Sequence, residues 1–118
     1  MNRVTVERVK NAYEKTGLSP VFCTFYARDN TSIEKVIGAC ALGACFIAEN
    51  PNDIPSSAVE ERLGITSHYL YGFLRTFDNH PFDEREAELK GWNMDEFRAG
   101  VEDGIAAREV ALELRGVA

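Results

Sequence analysis

The sequence predicts an all-α fold, one compact domain over residues 1–118 with about five helices around a central, small-residue-rich helix at about 31–49. Three observations predict it. Helix-capping residues repeatedly precede segments whose apolar residues recur every three to four positions. The run VIGACALGACFIA, Val36 to Ala48, has no polar side when wound at about 100° per residue, as a helix buried on every side requires. No second run alternates with period two, so an extended segment would find no partner. A chain of 118 residues that is 45% hydrophobic is large enough to bury a core without disulfides or a structural metal.

Each element follows in order. Val6, Val9 and Tyr13 form an apolar stripe on a first helix at about 5–16, stopped by Gly17, where a left-handed C-cap is cheapest for glycine. LSPVFCTFYA, residues 18–27, is rich in Val, Phe, Thr and Tyr after Pro20 and reads as an extended, buried connector. Thr31 with Glu34 makes a capping box that opens the central helix, and Asn50-Pro51 closes it. Ser57 with Glu60 is a second box, starting a short third helix that ends at Gly64. Thr66 or Ser67 caps a fourth, with Leu70, Phe73, Leu74 and Phe77 on its apolar face. DNHPFDEREAELKGWN holds about two helical turns, and Asn93 with Glu96 caps the last helix, about 94–114.

Two of these helices carry seams without large side chains. The central helix has Ala41, Ala44, Cys45 and Ala48; the last has Gly100, Gly104, Ala107 and Ala111. A mid-helix glycine costs about 1 kcal/mol relative to alanine, so close packing between these two helices is the expected compensation. The favoured arrangement places the seams inside one monomer, with a homodimer surface as the alternative. Cys40 and Cys45, five apart on a helix, would diverge by about 140°, which suits neither a disulfide nor a shared metal, and both read as inert buried thiols. Cys23, among Phe22, Phe25 and Tyr26, reads as core as well.

Charge restricts the function classes. Residues 1–28 carry five basic against two acidic side chains, whereas residues 78–113 carry eleven carboxylates against four bases. The acidic third would repel a phosphate backbone, whose neutralisation by Lys and Arg supplies most non-specific DNA affinity. The first twenty residues lack an apolar signal core, Val36–Ala48 is too short to span a bilayer, and three cysteines form no disulfide framework, so a cytoplasmic protein without membrane contact is expected.

Residues 57–77 nevertheless resemble the helix-turn-helix families over about twenty residues. Val59 and Leu63 precede the Gly64 turn, and Ile65, Leu70 and Phe73 would anchor the second helix. Glu60 departs from the small residue those families use for tight helix crossing. Ser67, His68, Tyr71 and Arg75 are the only base-reading candidates, a set poor in Asn, Gln and Lys. A helix pair used for packing is preferred, with DNA binding as an alternative function.

For chemistry, Asp78, His80, Asp83 and Glu84 cluster within seven residues, and one histidine with carboxylates suits a divalent cation or an acid–base pair. A metal-dependent enzyme using residues 78–84 is thus a second alternative. The spacing matches no calcium loop or zinc helix, and turn chemistry explains these residues more cheaply, so no catalytic residue, metal site or cofactor is assigned. His68 is the only other histidine. Arg108 falls among Phe97, Val101, Ile105 and Leu112, and is expected to reach water or to pair with Asp78 or Asp83, with an anionic ligand as the sharper option. The leading expectation is a non-enzymatic binding or regulatory module acting through protein contacts, with itself or another protein. Its acidic C-terminal surface and exposed Tyr71, Arg75 and Trp92 would meet a basic or apolar partner.

Overall fold

A computed structural model of the chain describes residues 2–24, 26–29, 32–50 and 59–116. Helix α1 (Val6–Thr16) begins at Thr5, whose side chain accepts from the Arg8 N–H, and ends at Gly17 with φ +67. After it come β1 (Ser19–Pro20), β2 (Tyr26–Asp29) and β3 (Ser32–Ala39), then α2 (Ala41–Glu49), α3 (Val59–Leu63), α4 (Ser67–Phe77), α5 (Glu84–Leu89) and α6 (Met94–Leu114). The radius of gyration is 14.0 Å, close to the ~13 Å of a compact chain of about this length. None of the described helices is long and apolar enough to cross a membrane.

The fold is mostly helical but not all-α. A three-stranded sheet of order β1-β3-β2 occupies the first third of the chain, with β1 parallel and β2 antiparallel to the central β3. The expected helix at 31–49 is therefore two elements: its first half is β3, and α2 covers only Ala41–Glu49. Thr31, half of the supposed capping box, lies outside the described residues, as do Pro51 and Ser57. The extended segment at 18–27 does have a partner, which is that first half.

Two local facts explain the division. Val36 and Ile37 are β-branched and favour a pleated strand. At Gly38, a Cβ would stand 2.9 Å from both the Ser19 carbonyl oxygen and the Val21 side chain, so only glycine lets β1 run this close. Cys40 then turns the chain into α2 as its N-cap, its sulfur accepting from the Gly43 N–H at 3.4 Å. α2 is buried nearly all round, as expected of the central helix, and it packs on α1.

The glycine seam of α6 packs within the monomer, but against α4 and not α2. A Cβ on Gly100 would collide with the Tyr69 carbonyl. One on Gly104 would meet Thr76 Oγ1 and stand 2.5 Å from the Phe73 carbonyl oxygen, and one on Gly72 would stand 2.5 Å from that of Phe97. The glycine cost on α6 is thus offset by backbone-to-backbone approach to α4, which contributes Gly72 to the same contact.

This approach rotates α4. Its buried residues are Tyr69, Gly72, Phe73, Thr76 and Phe77, so Leu70 and Leu74, expected on the core face, are only half-buried. Tyr69 helps to fix the rotation, since its hydroxyl accepts from the Val4 N–H at 2.7 Å and donates to Asp103 at 2.5 Å. Asp103 in turn binds Arg3 through two hydrogen bonds, at 2.8 and 2.9 Å. The N-terminal segment is tied in this way across α4 and α6, while Arg8 ties α1 to α2 through two bonds to Glu49.

Candidate functional site

With its inner side committed to α6, α4 presents a row of side chains along its outer side. Tyr71 and Arg75, one turn apart, form a ridge with the Arg75 guanidinium 4.9 Å from the Tyr71 ring centre. Grooves flank the ridge on both sides. One, of about 590 Å³, is lined by Tyr71, Arg75, Pro81, Phe82, Lys90 and Trp92, with Asp83 and Glu86. The other, of about 370 Å³, has Leu70 and Leu74 as its apolar lining, with Glu60, Ser67, Asp78 and His80. The leucines displaced from the core by the rotation of α4 therefore line a groove.

The wider groove is built from aromatic contacts. Trp92 meets Tyr71 edge-on, with centroids 4.7 Å apart, and stacks on His68 at 5.3 Å. Phe97 anchors the cluster from the core, with Phe82 edge-on at 5.9 Å. Phe82 is 41% exposed, and Lys90 lies over the Trp92 ring while pairing with Glu86 at 3.0 Å. Gly91, with φ +73, supplies the left-handed turn that brings Trp92 back onto α4. The three expected partner-surface residues, Tyr71, Arg75 and Trp92, thus come together on one wall.

The same packing bears on DNA reading. His68 Nδ1 accepts from the Asn93 N–H at 3.1 Å, Ser67 donates to Glu60 at 2.6 Å, and Tyr71 is covered by Trp92. Three of the four base-reading candidates thus make contacts within the fold. Gly64, at φ +72, makes the expected turn between α3 and α4.

The charged candidates separate. Asp83 is the N-cap of α5, accepting from the Arg85 and Glu86 N–H groups. Arg108 pairs with neither Asp78 nor Asp83: its Nη1 donates to the Phe77 carbonyl at 2.8 Å, capping the C-terminus of α4, and its guanidinium lies 4.8 Å from the Phe22 ring centre. The rotated face of α6 puts Gly100, Gly104, Ala107 and Ala111 inward, which leaves Arg108 at its edge and Ile105 exposed. His68 and His80 stand at opposite ends of α4. Among the described residues, no three His, Cys, Asp or Glu side chains gather as a metal site.

One constellation was not foreseen. Cys23 is exposed, not core, with φ +63, and its sulfur lies 3.3 Å from His80 Nε2. Asp78, the C-cap of α4, holds this turn by accepting the Cys23 N–H at 2.8 Å, and the His80 N–H donates to the Arg75 carbonyl at 2.8 Å. The other thiols behave as expected. Burial pushes both Cys40 and Cys45 up to about 12, far from reactivity at neutral pH. No signal in the sequence links positions 23 and 80; α4 has to be placed before they meet.

A further cleft of about 530 Å³ between α1 and α6 is lined by Tyr13, Leu18, Pro20, Val110 and Leu114, rimmed by Lys10, Glu14 and Glu113. It lacks the cluster of aromatic rings that the α4 surface gathers, which makes the α4 surface the stronger candidate. No protein family, curated protein or solved structure matches the chain.

Proposed function

We propose that the protein is a non-enzymatic binding module that holds an apolar, basic segment of a protein partner along the outer side of α4. The observation that carries this reading is the convergence of Tyr71, Phe82 and Trp92 on one open groove. Aromatic side chains give large contact area for little lost conformational entropy, and they dominate interface energetics when a pocket desolvates them. Phe82 is the exposed member of this aromatic cluster.

Charge selects the occupant. Residues 83–96, which supply Asp83, Glu86, Lys90 and Trp92 to the groove, carry six carboxylates against two basic side chains. A segment with Lys or Arg flanking its apolar residues would be steered to this rim, and an acidic one repelled. Selection of displayed random peptides on the immobilised protein tests the reading. Enrichment of apolar sequences flanked by Lys or Arg, lost when Phe82→Ser is the bait, is the expected result. Enrichment of acidic sequences, or equal enrichment on the variant, refutes it.

A further inference from the structure

We infer that Cys23 and His80 form a reactive thiol site that takes up a small anionic disulfide, the class to which glutathione disulfide belongs, and becomes a mixed disulfide. The inference rests on geometry distinct from the aromatic groove and holds whether or not that groove binds a peptide. The first support is proximity: His80 Nε2, 3.3 Å from the Cys23 sulfur, stands where it can take the thiol proton as the sulfur attacks. Both side chains are exposed, so an attacking sulfur can be reached. The second support is charge. Arg108 and Arg115 both place guanidinium groups over Phe22, the residue preceding Cys23, at 4.8 and 5.5 Å from its ring centre. Two cations over the residue next to the thiol, set against the Asp78 carboxylate that accepts the Cys23 N–H, favour a reagent carrying carboxylates. The third is access: the open leucine-lined groove reaches His80, the partner of Cys23.

The step balances without another reactant. The Cys23 sulfur attacks one sulfur of the disulfide; the reagent's S–S bond breaks as the new one forms. The Cys23 proton passes to His80 and then to the departing thiolate, so the Cys23 sulfur is oxidised and the leaving sulfur reduced.

The test uses the reduced, full-length protein with glutathione disulfide at neutral pH, followed by intact mass and peptide mapping. One glutathionyl group on Cys23, with Cys40 and Cys45 untouched, is expected. His80→Asn slows the reaction by about tenfold or more, and added imidazole restores part of the rate, which a purely structural role for His80 would not allow. Arg115→Ala slows reaction with glutathione disulfide severalfold while leaving the neutral reagent hydroxyethyl disulfide unaffected. An adduct on Cys40 or Cys45 in place of Cys23, or a His80→Asn rate equal to that of the parent, overturns the inference. Equal slowing of both reagents by Arg115→Ala overturns the role of charge.

Discussion

The inner side of α4 is made of residues that bring backbones together, Gly72, Phe73 and Thr76 against Gly100 and Gly104, whereas its outer side carries Tyr71 and Arg75 above two open grooves. On the inner side, a single added methyl has nowhere to go. On the outer side, large side chains are held by one another and still face solvent. The difference separates two jobs within one helix: the inner contact sets the rotation of α4, and that rotation decides which residues the grooves receive. Leu70 and Leu74 show the dependence, since at ideal helical spacing they belong with Phe73 and Phe77, yet they line a groove because Gly72 and Thr76 take the inward positions.

The largest effect should come from breaking the inner side. Gly104→Leu drives a side chain into Thr76 and the Phe73 backbone, which can yield little. A loss of about 3 kcal/mol or more is expected in urea denaturation, beyond any gain in helix propensity. Tolerance of leucine there would mean that α4 and α6 do not approach as described.

Tyr69→Phe comes next. It removes the hydroxyl that joins Val4 to Asp103 and leaves a buried N–H unpaired, at a cost of about 2 kcal/mol. The same residue has a pH signature. Burial, then its bond to Asp103, raises the Tyr69 pKa, and burial raises the thiols of Cys40 and Cys45 from 9.0 to about 12. A group whose folded pKa is raised contributes stability that is complete below its unfolded value and lost as pH rises towards the folded one. Stability should therefore fall with rising pH from about pH 9 upward, less steeply in Cys45→Ala. A flat profile between pH 8 and 11 would contradict the burial of these groups.

Arg108→Met tests the junction between the two sides. It removes one bond to the Phe77 carbonyl and the contact with Phe22, and it strands no carboxylate. About 1 kcal/mol is expected in thermal or urea unfolding. A loss of 3 kcal/mol or more would instead indicate a buried ion pair. The smallest stability effect belongs to the outer side, where Phe82→Ser should change stability by no more than about 0.5 kcal/mol.

Local chemistry was legible in the sequence at several helix ends, although the Thr31–Glu34 box opens no helix, since Ser32–Ala39 is β3. Gly17 ends α1, Thr66 caps α4 and Asn93 caps α6, whereas Asp83, read as a chemical candidate, caps α5. The division of residues 32–49 into strand and helix was not legible by periodicity, because an apolar run without polar punctuation fits a buried helix and a central strand equally. Gly38 between Ile37 and Ala39 was the available signal, since an isolated glycine beside β-branched residues marks close backbone approach. The seams on α2 and α6 were read correctly as packing surfaces, but a seam does not name its partner. Gly72 completes the contact from a helix otherwise rich in large residues. Tyr71, Arg75 and Trp92 were visible as a surface because aromatic residues in polar surroundings stand out. The Cys23–His80 pair was not, since two exposed residues far apart in sequence meet only through the placement of α4.

The central claim is that the outer side of α4 binds while the inner side holds the fold. It is tested most directly by measuring, on Phe82→Ser, both unfolding free energy and affinity for a peptide selected on the parent protein. The expected result is unfolding within about 0.5 kcal/mol of the parent together with at least a tenfold loss of affinity, about 1.4 kcal/mol. Unchanged affinity, or a loss of binding that merely follows a loss of stability, would contradict it.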